Sequence, residues 1–522
     1  MKRISRRGII GVDPRQNLTA TQVSDTDQIG TKLYDNRNWQ IDETTRSDRD
    51  ACRRIDVCGN AVHSTAVRIV SYRLAYAWTR TADGDLVEHR TSSNCDYRPV
   101  ALILLPLAGI GDIKTAGEPF ANPLVFLFLG GFLLAAAVSR WGLHRRIAGT
   151  IVGKVGTEPR QLVLGFMVAS GFLSMWISNT AAVVLMLPVA ISIIMAFDEA
   201  ESIPEVLHKR FAQSLLLGLA YGASIGGVGT LIGTPPNALL AGYLMENHGI
   251  DLSCAAWAAI AMPLVAVFLP LAWLILTRFS FPMPADFTDM PQVSDSLRRL
   301  SPSGKMSKAE KRVGIVFLGA AVLWITRPLL NGIPVLEGLS DPGIALICGS
   351  VLFLIPSGAD DRKRFLLTWE EARDLPWQVL ILFGGGLSLA AAMDSSGLAG
   401  WIGQGLAEIG EMPVFLFLLL LAATVVLLTE LASNTATVAA LLPVAATIAS
   451  AAGIDVIVVS AAVAMAASCA FMLPVATPPN TLVFATGYVT VASMVRAGLV
   501  MNLLSITLVA IVAFVLAQYV AL

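Results

Sequence analysis

Charge is scarce in this chain: 14% of its 522 residues are Asp, Glu, Lys or Arg, 55% are hydrophobic, and the formal net charge is -1. Together with a mean hydropathy of +0.66, that excludes an ordinary soluble domain, in which about a quarter of residues are charged. Histidine is rarer still, with five residues. The apolar stretches hold neither a His-Glu metal-ligand cluster nor a Ser/His pair, so the residue sets of an intramembrane enzyme are missing and no enzymatic activity is expected. Cysteines are scattered, with Cys52, Cys58 and Cys95 in a polar N-terminal stretch and Cys254, Cys348 and Cys469 in or beside apolar runs, in neither a disulfide nor a zinc pattern. Ten-residue segments of alternating polarity are absent too, which excludes a membrane β-barrel.

What the chain does have is long apolar runs, roughly 121–139, 162–197, 211–245, 255–277, 313–330, 343–356, 377–393, 413–450, 455–490 and 498–521. Helices of about 20 residues cross a bilayer, so the expected fold is an all-α polytopic membrane protein. Basic residues cluster in alternate connections: Arg140, Arg145, Arg146, Lys154 and Arg160, then Arg278 to Arg312, then Arg362, Lys363, Arg364 and Arg373. These are expected on the cytoplasmic side of the inner (plasma) membrane. The connections near 246–254, 331–342 and 398–412 contain no Lys or Arg and are expected to face outward.

That alternation holds only if 162–197 and 413–450 each enter and leave on one side, as re-entrant hairpins. The first then opens toward the cytoplasm and the second toward the outside, an inverted-topology repeat. Near the middle of each hairpin stands the same tripeptide, Ser178-Asn179-Thr180 in "ISNTAAVVLMLPVA" and Ser433-Asn434-Thr435 in "ASNTATVAALLPVA". A second polar break follows in each half, "GTPPNALLAGY" (Gly233 to Tyr243) and "ATPPNTLVFATGY" (Ala476 to Tyr488), where Pro-Pro interrupts the helix. A single Ser-Asn-Thr reads most simply as a helix N-cap. Its duplication at membrane depth, with matching Thr-Pro-Pro-Asn breaks, points instead to a transporter site built from discontinuous helices.

Asn amides, hydroxyls and freed carbonyls are hard oxygen ligands for an alkali cation, and helix N-termini suit an anion. Neither tip carries Lys or Arg, so a dianion would depend on dipoles, hydrogen bonds and bound cations, and the two should bind cooperatively. Glu430, three residues before Ser433, is ionisable at membrane depth and therefore a functional candidate; a buried structural Glu is the equal alternative. Asp394 reads as a solvated residue at an outward helix end, and Trp141, Trp273 and Trp324 as interfacial or packing residues.

These motifs, with "FLFLGGFLLAAAVSRWGLHRRIA" (Phe126 to Ala148) and "AASCAFMLPVATPPN" (Ala466 to Asn480), resemble the divalent anion/sodium symporter family over about residues 100–522. The resemblance implies an elevator-type homodimer in which a transport domain holding both hairpins slides against a scaffold domain. It implies substrates such as succinate, malate and fumarate, with citrate or sulfate in some relatives, co-transported sodium, and no organic cofactor or nucleic-acid partner. Carried onto matching positions, one sodium site would use Ser174, Ser178, Asn179 and the Gly227 backbone. The other would use Thr429, Asn434 and the carbonyls of Ala432 and Ala476. Substrate carboxylates would meet Asn179, Thr180, Asn434, Thr435, Thr477 and Pro478, with Thr234 and Pro235 as weaker, symmetry-based candidates. A carrier of sulfate, citrate or another anion, or a sodium/proton antiporter of related fold, is the runner-up within transport.

The expected organisation is a polar segment 1–98, a first repeat 99–278, a cytoplasmic linker 279–312 and a second repeat 313–522. The first segment departs from the family, which opens with two membrane helices, the second bearing Trp-Trp-x-Thr-Glu. Back-translated and read one nucleotide later, Leu86-Val87-Glu88 and the residues after it permit Trp-Trp-Ser-Thr-Glu. The stretch Thr81 to Val100 therefore reads as an out-of-frame version of the missing helix, which would leave an inactive product. The rival reading is a genuine polar extension of disordered composition.

Overall fold

The computed structural model describes residues 100–155, 158–198, 204–283, 305–358, 365–398, 401 and 412–520. The polar segment 1–98, its out-of-frame reading and most of the linker 279–312 lie outside them. The chain order is α1 (Val100–Leu107), α2 (Ile113–Gly117), α3 (Pro123–Arg140), α4 (Leu143–Val155), α5 (Pro159–Ser174), α6 (Asn179–Asp198), α7 (Glu205–Gly227), α8 (Pro235–His248) and α9 (Cys254–Leu274). It continues with α10 (Lys308–Leu330), α11 (Asp341–Val351), α12 (Trp369–Arg373), α13 (Trp377–Ser395), α14 (Val414–Leu431), α15 (Asn434–Ala452), α16 (Val456–Ala467), α17 (Pro478–Phe484) and α18 (Val491–Val520). Among the described residues the only β pairing is an isolated bridge between Pro356 and Phe365. Among the described residues six helices are long and apolar enough to span: Pro123–Arg140, Cys254–Ser280, Lys308–Leu330, Trp377–Ser395, Val414–Leu431 and Val491–Tyr519.

Both expected hairpins are present, as α5 with α6 and α14 with α15, and both expected broken helices, as α7 with α8 and α16 with α17. One expectation needs correction. The run 343–356 gives a helix of only 11 residues, about 16 Å of rise, too short to cross. After it, Leu352 and Ile355 turn to accept backbone bonds from Leu367 and Leu366 at 3.1 and 2.9 Å. The run 455–490 does not match its counterpart in length: α17 has 7 residues against 14 in α8. It gives way to a turn in which Gly487 adopts φ 80°, a left-handed conformation that glycine takes at no steric cost.

The ends of the bundle sort by charge. At one end Arg140 pairs with Glu371 at 2.6 Å and Arg146 with Glu310 at 3.3 Å. Arg160 donates to the carbonyl of Met283, Arg210 to Pro282 and Arg312 to Pro356. The three basic connections thus meet in space, as a common cytoplasmic face requires. At the other end Arg327 pairs with Asp251 and Asp341, both at 3.1 Å, Asp341 accepts from Cys254 N at 2.7 Å, and Asn122 donates to Glu246. Asp394 belongs to this end, yet it is half-buried beside Tyr243, not simply solvated. The three tryptophans are anchors, donating to the carbonyls of Leu366, Arg160 and Asp341.

This sorting orients the hairpins. Helix α7 starts at the basic end, where Arg210 bonds Pro282, so the hairpin before it opens there. The chain after α17 comes back to that end, because Gly487 and Tyr488 share a cavity wall with Glu205, His208 and Lys209. Helix α16 therefore starts at the opposite end, and the second hairpin, which ends at Ala452, three residues before Asp455, opens there.

The halves interlock. Helix α8 packs on α15 and α16 of the second half, α17 packs on α6 and α7 of the first, and α9 packs on α18. Within the first half α5 and α7 touch backbone to backbone: a Cβ on Gly222 would lie 2.6 Å from Met167 O, and one on Gly226 would overlap Gly171. Small residues permit such approach between membrane helices, where dispersion replaces the hydrophobic effect as the driving force.

Candidate functional site

Each hairpin breaks just ahead of its Asn. In the first, α5 ends at Ser174 and α6 restarts at Asn179; in the second, α14 ends at Leu431 and α15 restarts at Asn434. A hydroxyl five residues before each Asn closes the gap. Ser174 Oγ donates to Asn179 Oδ1, and Thr429 Oγ1 lies 2.7 Å from Asn434 Oδ1 and 2.9 Å from Ala467 O. Ser174 and Thr429 are fully buried. The same hydroxyl-amide pair thus recurs in two halves of opposite orientation.

In the first half a third group joins the pair. A Cβ added to Gly227 would collide with Asn179 Oδ1 and lie 3.2 Å from Ser174 Oγ, and one on Gly233 would meet Gly227 O and, at 2.9 Å, Ser174 O. Ser174, Asn179 and Gly227 are therefore gathered as expected, with Gly233 a close wall that the sequence reading missed. Ser174 and Gly227 are also the last residues of α5 and α7, so two helix C-termini turn their partial negative charge toward one spot. In the second half the third oxygen is that of Ala467, also missed, at the C-terminus of α16.

Other expected residues sit differently. Ser178 is engaged in its own helix: its hydroxyl accepts from Ala181 N at 3.3 Å and its carbonyl from Ala182 N at 3.0 Å, the capping role. Ala432 ends α14 in extended backbone, with φ -118° and ψ 162°, and Ala476 is buried just ahead of Thr477. Among the described residues neither is hydrogen-bonded to the Thr429-Asn434 pair. Of the expected substrate residues, Thr435 and Thr477 are buried, Asn179, Thr180 and Asn434 half-buried, and Pro478 exposed. Thr234 is buried and Pro235 half-buried. Cross-packing carries these together: α6, which begins at Asn179, packs on α17, which begins at Pro478, while α15, which begins at Asn434, packs on α8, which begins at Pro235.

The second breaks are held by residues whose roles the sequence left unread. Asn237 Nδ2 donates to the carbonyls of Gly227, Val228 and Thr230 at 3.3, 3.1 and 2.8 Å. Asn480 Nδ2 donates to Ala470 and Leu473 at 3.2 and 3.1 Å. Both Asn close Thr-Pro-Pro-Asn, and each reaches back ten and seven residues, which was the available signal. Carbonyls freed from a helix in a bilayer need such partners. In the first half Trp257 Nε1 adds a bond to Val228 O at 2.9 Å, and Thr230 Oγ1 donates to Met175 O. In the second, Glu430 accepts from Phe471 N, Met472 N and Leu473 N at 2.7, 2.8 and 3.0 Å and from Asn502 Nδ2 at 2.7 Å.

Two re-entrant hairpins of opposite orientation, crossed with two broken helices and lined by neutral oxygens, define a polytopic helical membrane protein of the secondary-transporter class. Residues 67–522 match the family model described as the sodium:sulfate symporter transmembrane region, and the chain belongs to that family. The match begins inside the segment set apart above as 1–98. The chain is 43% identical over 420 residues, 80% of each protein, to the sodium-dependent dicarboxylate transporter SdcS of Staphylococcus saprophyticus. It is 40% identical over 424 residues, 79% of this chain and 80% of the relative, to the protein of the same name in Staphylococcus aureus. In fold it resembles the YdaH transporter of Alcanivorax borkumensis, with a TM-score of 0.55 at 16% identity over 87% of this chain and 98% of that one. Neisseria gonorrhoeae MtrF gives 0.54 at 13% identity over 79% and 83%.

Proposed function

We propose that the chain is a sodium-coupled carrier of C4-dicarboxylates such as succinate, malate and fumarate, working by alternating access in the plasma membrane. The observation that carries this reading is the twin hydroxyl-amide pair, Ser174-Asn179 and Thr429-Asn434, each beside a carbonyl at a helix C-terminus. Such sites offer several uncharged oxygens and negative dipole ends, which suit a monovalent hard cation and lack the carboxylate ligands common in divalent sites. The names of its relatives supply the dicarboxylate, and the site chemistry is compatible with it: with no basic residue at either tip, a dianion is neutralised by two bound cations. Cation and anion then bind cooperatively by linkage.

In this reading Ser174, Asn179, Gly227 and their neighbour Ser178 form one sodium site, and Thr429, Asn434, Ala432 and Ala476, joined by Ala467, form the other. Asn179, Thr180, Asn434, Thr435, Thr477 and Pro478 meet the carboxylates. The hairpins and broken helices form a transport domain that moves as an elevator against a scaffold within a homodimer. Radiolabelled succinate uptake into proteoliposomes, with and without an inward sodium gradient and against unlabelled sulfate, tests the reading. Sodium-driven uptake competed by malate and fumarate is expected. Sodium-independent exchange, or stronger competition by sulfate, overturns the coupling or the substrate respectively. Uptake by a frame-restored chain but not by this one would assign the loss to the N-terminal segment.

A further inference from the structure

Glu430 is buried, and each bond described above brings a donor to it: three consecutive backbone N-H groups and one side-chain amide. Consecutive N-H groups that converge in this way form an anion-binding nest. Here the nest is filled by the protein's own carboxylate. In a planar trans peptide the N-H and the preceding C=O point opposite ways, so pinning the N-H groups of Phe471, Met472 and Leu473 also fixes the carbonyls of Ala470, Phe471 and Met472. Two of these are held again from the far side, Ala470 by Asn480 Nδ2 at 3.2 Å and Phe471 by the Tyr221 hydroxyl at 2.7 Å. The neighbouring residue in the helix, Thr429, is the one that joins Asn434 Oδ1 to Ala467 O.

The first half has no such charge. Three residues before its Ser stands Met175 where the second half has Glu430, and its break is held by Thr230, Asn237 and Trp257, all neutral.

We propose that Glu430 is a positioning residue for the second cation site and makes it the tighter of the two, while keeping the substrate's own carboxylate out of the 471–473 nest. This rests on the sodium-coupled reading above. A unit charge roughly 10 Å from a cation, through an effective dielectric near 20, changes binding by about tenfold or more. The second site therefore fills at lower sodium, and the first fills last, together with the anion.

The test is equilibrium binding of 22Na to the purified full chain, paired with the sodium dependence of succinate uptake, for wild type, Glu430→Gln and Glu430→Asp. Glu430→Gln is expected to raise the midpoint of the tighter sodium step about tenfold, and Glu430→Asp, which keeps the charge, to stay much closer to wild type. A merely structural role would lower the melting temperature and the amount of active carrier without moving that midpoint, and such a result overturns the proposal. If Glu430→Gln fails to fold, Asn502→Ala replaces it. The Asn502 side chain donates to Glu430, so a shift of about threefold in the sodium midpoint supports the proposal and an unmoved midpoint overturns it. Wild-type protein that binds no sodium would remove the underlying reading. Sodium-dependent wild type with an unmoved Glu430→Gln midpoint removes this inference alone.

Discussion

The two halves build the same break from different anchors. Both end a helix early, restart it at Asn179 or Asn434, and clamp the following Thr-Pro-Pro-Asn interruption with its own Asn side chain. Around that shared frame the first half relies on glycine contact and neutral donors, Gly227, Gly233, Thr230 and Trp257, whereas the second relies on a carboxylate, Glu430, and a polar residue of α18, Asn502. The lesson is that the hydroxyl-amide geometry is what the repeat preserves, and the means of holding it are free to diverge. Inverted packing adds a bond across the halves: Tyr221, in the helix that ends at Gly227, donates to Phe471 O in the opposite break.

Several substitutions break or sharpen this comparison. The largest effect is expected from Asn179→Ala and Asn434→Ala. Each removes an amide oxygen common to both frames and should cut sodium-coupled uptake at least about 100-fold while protein still reaches the membrane; unequal losses would show that the pairs are not equivalent. Gly227→Ala should come next. Its Cβ enters the space of Asn179 Oδ1, so uptake should fall by roughly tenfold or more, since overlap in a packed site must shift the ligand. The matching Ala470→Gly in the second half should change uptake little.

Clamp losses come third and are read as stability. Asn237→Leu and Asn480→Leu each leave buried carbonyls without donors and should cost about 2 kcal/mol or more in detergent unfolding. Asn237, with three carbonyl partners against two, should be the more damaging. Smallest is Tyr221→Phe, which deletes one hydroxyl with the ring kept and should cost about 1 kcal/mol, seen as a small drop in melting temperature.

Much of the architecture was legible because its signals are physical requirements of a bilayer. Apolar runs too long for one crossing, between loops whose charge requires entry and exit on one side, marked the hairpins and oriented them; the ion pairs at the two ends bear that sorting out. Twin Ser-Asn-Thr and Thr-Pro-Pro-Asn located the four paired breaks. The short α11 was not legible, since 343–356 is apolar throughout and only contacts with Leu366 and Leu367 end the helix. Ala467 was invisible because a backbone carbonyl has no residue signature. Ser178 carries both meanings at once: the tripeptide marks the break, and the residue itself makes the helix cap that its type favours. Glu430 was noticed as an ionisable residue, but its partners are backbone groups about forty residues away, which no local pattern reports.

The central claim is that Ser174-Asn179 and Thr429-Asn434 each hold one sodium ion. Counting 22Na bound at saturation, with saturating succinate present, to the purified wild-type chain and to Asn179→Ala and Asn434→Ala tests it directly. Two ions on the wild type and one on each variant are predicted; a wild type that binds none, or variants that keep the full count, would contradict it.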